Sequence, residues 1–238
     1  MTRQGGMNGQ RPMPNGRWGR WLAAALVYVC LAVTVWAGAP NPFELEGDAK
    51  PERPLDRLVF ARLDKLGIQP AAVCSDAVFL RRAYLDVIGT LPSGFEAREF
   101  ILSRSPTKRR DLVDKLLARD EFADYWAMKW SDLLRVKAEF PINLWPNAAQ
   151  GYYRWIHTAV RDNLPYDRFV RELLTSSGSN FREAPVNFYR AMQNRQPAGI
   201  AQTVALTFMA TRAEKWPAGR LAGMAGFFSQ VGYKSTAE

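Results

Sequence analysis

The sequence predicts an all-α protein: an irregular, multi-helix bundle of short amphipathic helices, some crossing at large angles, behind an N-terminal signal or anchor helix. Three observations carry this. From residue 55 onward nearly every segment repeats its apolar residues at i, i+3, i+4 spacing. The breaks between segments fall at Gly, Pro and capping residues. No segment shows sustained period-two alternation bounded by hairpin turns, and no internal repeat is present.

The first element is the run WLAAALVYVCLAVTVWA at 21–37, seventeen residues without a charge. Arg3, Arg11, Arg17 and Arg20 precede it with no acidic residue among them, which holds the N-terminus on the cytoplasmic side of a membrane. The small residues Ala37-Gly38-Ala39 fit a signal cleavage site. Pro40 just beyond them makes a poor protease substrate, because its φ is fixed. The run is long for a signal core and slightly short of a full span of about 20 residues. It therefore reads either as a cleaved signal peptide or as a retained signal anchor, occupying 1–39. Either reading predicts export to the cell envelope or periplasm, with the cytoplasmic membrane as the partner of 21–37. Residues 40–54 (PNPFELEGDAKPERP) are rich in Pro and charge and read as an extended linker. The helical domain is expected over 55–238.

Leu55, Leu58, Val59, Leu63 and Leu66 make the first face of that domain, closed by Gly67. Leu80, Ala83, Tyr84, Val87 and Ile88 make the second, closed by Gly89. Ser93 with Glu96 is a capping box that opens a third helix through Arg104. Ser105 and Pro106 supply an N-cap and a first-turn proline for a fourth, with Leu112, Val113, Leu116 and Leu117 inside. Phe122, Trp126, Trp130, Leu133 and Leu134 define a fifth from about Glu121 to Val136. After Pro141 and Pro146, Asn147 is the expected cap of a sixth carrying Tyr152, Trp155, Ile156, Ala159 and Val160. Pro165 separates it from a seventh with Phe169, Val170, Leu173 and Leu174. Residues 175–186 form a polar loop. Helices resume at Asn187–Gln193, Pro197–Ala210 and Pro217–Val231.

Composition excludes several chemistries. The net charge of +9 falls to +5 without the four leader arginines, and the remaining charges are interspersed, as in Lys108-Arg109-Arg110-Asp111. That pattern reads as a solvated helix face, and with export it argues against a nucleic-acid partner. Cys30 lies in the apolar run, so Cys74 is the one thiol left in the exported part and no disulfide can form within it; a buried thiol is the expected reading. With one histidine, His157, no Cys/His zinc site and no Cys-x-x-Cys-His haem string exists. No Asp-x-Asp-x-Asp-Gly calcium loop occurs either, and no metal or cofactor is expected.

Three stretches carry a family resemblance: FLRRAYLDVIGTLPSGFEAREFI (79–101), DLVDKLLARDEFADYWAMKWSDLLR (111–135) and YRWIHTAVRDNLPYDRFVRELLTSSGS (153–179). Together they resemble the second planctomycete cytochrome-associated domain, a domain of unknown function in large exported bacterial proteins, from about Leu55 to the end. The resemblance implies that the chain is an N-terminal part of a longer protein, since the family often sits beside a cytochrome-c-like domain and a further C-terminal domain. Many relatives carry Cys-x-x-Cys-His before a Trp and a Phe-Phe segment. Here the matching stretch is Thr211-Arg212-Ala213-Glu214-Lys215-Trp216-Pro217, followed by Phe227-Phe228. Thioether attachment needs both thiols and axial ligation the His, so this copy is expected to bind no haem there.

Few residues remain as candidates for chemistry. Asp86 and Asp132 could form an acid–base pair acting on a glycosidic bond, as in an envelope polysaccharide hydrolase. Their spacing to Arg82 (i,i+4) and Arg135 (i,i+3) makes structural ion pairs the preferred reading. His157, one turn after Tyr153 on the polar side of its helix, could be a base. No serine elbow or cysteine partner accompanies it, so a solvated or hydrogen-bonded imidazole is preferred. Trp126, Trp130, Tyr152 and Trp155 fit the apolar stripes, as core aromatics do. Trp145, between two prolines, and Tyr153, off the main stripe, are the candidate ligand-binding residues, and their rings suit sugars. Ser176-Ser177-Gly178-Ser179-Asn180 has glycine and hydroxyls but lacks the Gly-Lys-Ser/Thr ending of a phosphate loop. The sequence therefore predicts a non-catalytic module for protein or glycan interaction. The alternatives are the hydrolase and a haem-less relative of an electron-transfer protein.

Overall fold

The computed structural model describes residues 41–45, 47 and 49–234. The apolar run at 21–37 lies outside them. Among the described residues there are ten α-helices, two 3-10 helices and no strand, and no helix is long and apolar enough to cross a membrane. The chain divides into two compact units, Met1–Ser75 and Asp76–Glu238.

In the first unit, α1 spans Pro54–Lys65. Pro54 stands at its first turn, the Asp56 carboxylate accepts the Arg53 backbone N–H at 2.9 Å, and Gly67 (φ +66) follows its end. Within the stretch 40–54, Glu44 pairs with Cys74 in an isolated antiparallel bridge. Cys74 is half-buried rather than buried. No residue of α1 is buried: Leu55 and Leu58 are about 70% exposed.

The second unit holds α2 (Asp76–Ile88), α3 (Gly94–Leu102), α4 (Lys108–Leu117), α5 (Asp120–Leu133), α6 (Pro146–Arg161), α7 (Tyr166–Thr175), α8 (Asn187–Arg190), α9 (Pro197–Met209) and α10 (Ala218–Gly226). It has two apolar cores. Leu80, Tyr84, Ile88, Phe100, Leu112 and Leu116 form the first, between α2, α3 and α4. The second is larger and is built from α5 to α10 around Leu134, Tyr152, Ile156, Leu173, Phe188 and Ile200. Helix α5 connects the two: Trp126 donates its indole N–H to the Val87 carbonyl of α2 at 3.1 Å, while Trp130 packs on Phe169 of α7 with ring centroids 5.1 Å apart.

The predicted helices form, and several termini shift for local reasons. Ser93 caps α3 as expected, accepting the Glu96 N–H while Glu96 accepts the Ser93 N–H at 2.8 Å. Helix α4 begins at Lys108 rather than at Pro106, because the Ser105 hydroxyl accepts the Thr107 N–H and ties the chain in a turn. Helix α6 begins at Pro146, with Trp145 as the flanking residue in place of Asn147. Helix α5 ends before Val136 because Arg135 takes a left-handed conformation (φ 57), as Ala210 (φ 48) does after α9. The buried stripe of α5 is Ala123 and Ala127, followed by Leu134, whereas Leu133 is 56% exposed. The large rings flank that stripe half-buried.

Glycine at position 89 is required twice over. Its φ of +72 is left-handed, and a Cβ there would lie 2.3 Å from the Tyr125 ring.

Candidate functional site

A concavity of the second unit, about 630 Å³, lies where the α7–α8 connection meets the segment after α10. One wall is Ser176 to Asn180, the string set aside as an incomplete phosphate loop. Tyr189 and Arg190 of α8 and residues 230–234 also line it. No Asp or Glu lines it among the described residues.

This wall is held by local hydrogen bonds. Leu173 is fully buried, which anchors the end of α7, and the Ser176 hydroxyl donates back to the Glu172 carbonyl. Gly178 (φ +128) makes the bend, and a Cβ there would approach Glu183 Cγ at 3.2 Å. The Ser179 carbonyl accepts the N–H groups of Arg182 and Glu183 at 3.0 and 2.8 Å. Beneath, Asn187 is fully buried and donates to the carbonyls of Asn180 (2.9 Å) and Ala184 (3.0 Å), while accepting from the Asn180 amide at 3.4 Å. Residues 175–186, expected as a plain loop, thus contain a buried asparagine clamp and a 3-10 turn at Ala184–Val186.

Both tyrosines of the cleft have anchored hydroxyls. Tyr189 donates to the Leu174 carbonyl at 2.9 Å and Tyr233 to the Tyr189 carbonyl at 3.3 Å. Burial pushes the Tyr189 phenol up to about 12. Burial also raises Tyr233, and the guanidinium groups of Arg195 and Arg190 oppose the shift. Arg195 lies over the Tyr233 ring at 4.6 Å. Both phenols stay neutral at physiological pH.

The residues singled out from sequence are dispersed. Asp86 and Asp132 are exposed, and neither lines the cleft. The expected ion pairs with Arg82 and Arg135 do not form among the described residues; Arg135 stands past the end of α5 with a left-handed backbone (φ 57). Ion pairing falls elsewhere. Asp76 binds Lys108 at 2.6 Å and Arg109 at 2.9 Å, and Lys108 donates the hydrogen bond that most lowers the Asp76 carboxyl. The Lys108–Asp111 run is therefore only partly a solvated face. Arg119 bridges Glu96 at 2.8 Å and also pairs with Glu121.

His157 is half-buried, and its Nε2 lies 3.0 Å from Asp124 Oδ1 of α5. That is the hydrogen-bonded imidazole of the preferred reading, with a partner the sequence did not indicate. No Ser, Thr or Cys hydrogen-bonds the ring among the described residues. Trp145 is 63% exposed beside the start of α6. Tyr153, at the margin of exposure, has its ring centroid 6.1 Å from that of His157. Eight positions of helix place Trp145 and Tyr153 roughly 12 Å apart along the axis. Among the described residues no cluster of three or more His, Cys, Asp or Glu could hold a metal ion.

A model of the family described as PSCyt2, protein of unknown function (DUF1549), matches residues 54–219. The chain belongs to that family. The match spans α1 to the start of α10 and includes the Ser176–Asn180 wall, Tyr189 and Arg190, but not 230–234. No curated protein and no solved structure matches the chain. In this PSCyt2 domain, the stretch aligned by resemblance with the haem string forms a 3-10 turn at Ala213–Lys215, with Ala213 fully buried. Trp216 lies under the Arg220 guanidinium at 4.7 Å.

The cleft residues were present in the sequence as a Gly- and Ser-rich string between two helices. What periodicity could not supply was the return of 230–234 to face it.

Proposed function

We propose that this PSCyt2 domain is a non-catalytic binding module that holds a polyhydroxylated polymer, a glycan, in the 630 Å³ cleft. The observation that carries the reading is the cleft's lining: serine hydroxyls, two tyrosine rings, a few aliphatic side chains, the cations Arg190 and Lys234, and no carboxylate among the described residues. A volume of this order suits a segment of a few sugar rings. Serine hydroxyls, the Gln230 side chain and loop N–H groups match a sugar's mixed donors and acceptors. The absence of an acid pair from the lining leaves glycosidic cleavage without its general acid and base. Export and tethering through 21–37 would present the cleft to the polysaccharides of the cell envelope.

The paired-carboxylate hydrolase gains no support, because Asp86 and Asp132 both stand outside the cleft. Trp145 favours a second location for the same ligand, since an exposed indole is a stacking surface for a sugar face.

The test is affinity electrophoresis of the detergent-solubilised full chain through gels containing polysaccharides, beside the variant Ser177→Trp. Ser177 is exposed and lines the cleft, so an indole there blocks it without entering the core. The expected result is retardation of the native chain in at least one polysaccharide and its loss in the variant. Retardation unchanged by Ser177→Trp moves the ligand to another surface, and no retardation in any gel removes the reading.

A further inference from the structure

Arg190 is the last residue of α8, half-buried in the cleft wall. No carboxylate lies within ion-pair distance of it among the described residues. Elsewhere in this unit the half-buried cations at Lys108, Arg109 and Arg119 are each matched to an acid. Withdrawing a guanidinium partly from water without a partner is costly, and that cost is recovered when an anion arrives. The surroundings agree. Lys234 lines the same cleft, Arg195 sits over the Tyr233 ring beside it, and no Asp or Glu lines the space among the described residues. The fork of an arginine matches the paired oxygens of a carboxylate or a sulfate ester.

We infer that the cleft selects acidic glycans, with the Arg190 guanidinium taking a carboxylate or sulfate group of the sugar while the serine loop takes its hydroxyls. The inference rests on the glycan reading above. Arg190 then discriminates charged polymers from neutral ones of the same backbone, and Lys234 adds charge at the mouth without fixing geometry.

Three polymers of one backbone test it: dextran, carboxymethyl-dextran and dextran sulfate, bound to the full chain at about 0.15 M salt. The native chain is expected to bind one or both charged forms at least tenfold more tightly than dextran; which one is preferred separates a carboxylate from a sulfate ligand. Arg190→Gln should abolish that preference and Arg190→Lys should restore only part of it. Arg110→Gln, a change at an exposed arginine outside the cleft, should leave it intact. Circular dichroism of each variant establishes that it is folded.

Equal binding of all three polymers by the native chain overturns the inference and leaves the glycan reading standing, as does an equal effect of Arg190→Gln on all three. If Arg110→Gln matches Arg190→Gln, the attraction is a diffuse charge effect and Arg190 has no special part. Failure to bind any of the three, together with no retardation in any polysaccharide gel, removes both readings.

Discussion

Tyr152 is wholly buried, and its hydroxyl has no hydrogen-bond partner among the described residues. Burial raises its phenol well above the usual value. An unmatched buried hydroxyl is a cost rather than an asset, so Tyr152→Phe should leave the domain as stable or stabilise it by about 1 kcal/mol, read from urea denaturation. A loss above about 1 kcal/mol would mean that the hydroxyl is bonded. Asn187 is the opposite case, because its amide satisfies two backbone carbonyls and one side chain. Asn187→Leu should cost about 2–4 kcal/mol by leaving those groups unpaired. It should also weaken glycan binding, since the serine wall rests on that clamp. Glu96 sets a pH dependence. Hydrogen bonds from the Ser93 backbone and hydroxyl, then from Tyr84 and Arg119, hold its carboxyl at about 2 against an ordinary value of 4.5. A lowered value stabilises the fold above the unfolded pKa and is lost as protons bind. The stability gap between native and Glu96→Gln chains should therefore be full above about pH 4.5 and shrink toward pH 2. A gap that stays constant over that range would place the effect in packing.

Element by element, the helices were legible because their stripes are long and their punctuation is strong. Ser93 with Glu96, Gly67 and Gly89 lie where the sequence puts helix ends. What was illegible followed from forces outside the stripe. The spacing in α5 points to its largest residues as the buried face, yet the closest packing takes the small ones, Ala123 and Ala127, and seats Phe122, Trp126 and Trp130 half-buried at the flanks. The Asp86 and Asp132 pairings failed because spacing offers a partner without fixing its rotamer or, for Arg135, its backbone. Cross-helix pairs such as Asp124 with His157 and Asp76 with Arg109 join residues 33 positions apart, beyond the reach of any local pattern. Gly89 tests the element account most sharply. Gly89→Ala should destabilise by at least about 1 kcal/mol from the left-handed backbone, and more from the Tyr125 contact, measured as a lowered urea midpoint. An unchanged midpoint would mean that the α2–α3 turn adopts another conformation.

At the scale of the whole second unit, the organisation that matters is a helical body with two cores and a cleft, beside the larger core, whose lining holds no carboxylate among the described residues. The cleft belongs to the larger core: Tyr189 lines it, and Phe228 (8% exposed) fixes the start of the returning segment. The fold class followed from periodicity, whereas the cleft arises only when residues 176–190 and 230–234 meet, which no single helix encodes. Its sign of charge also emerges at this scale, since the acids near it in sequence, Glu172 and Glu183, stand outside the lining. The central claim is that ligand is held there. Amide chemical-shift mapping of the full chain in micelles, titrated with an acidic oligosaccharide, tests it most directly. The account predicts that the largest shifts cluster at 176–180, 189–190 and 230–234; shifts confined to the surroundings of Trp145 and Tyr153, or no shifts at saturating ligand, would contradict it.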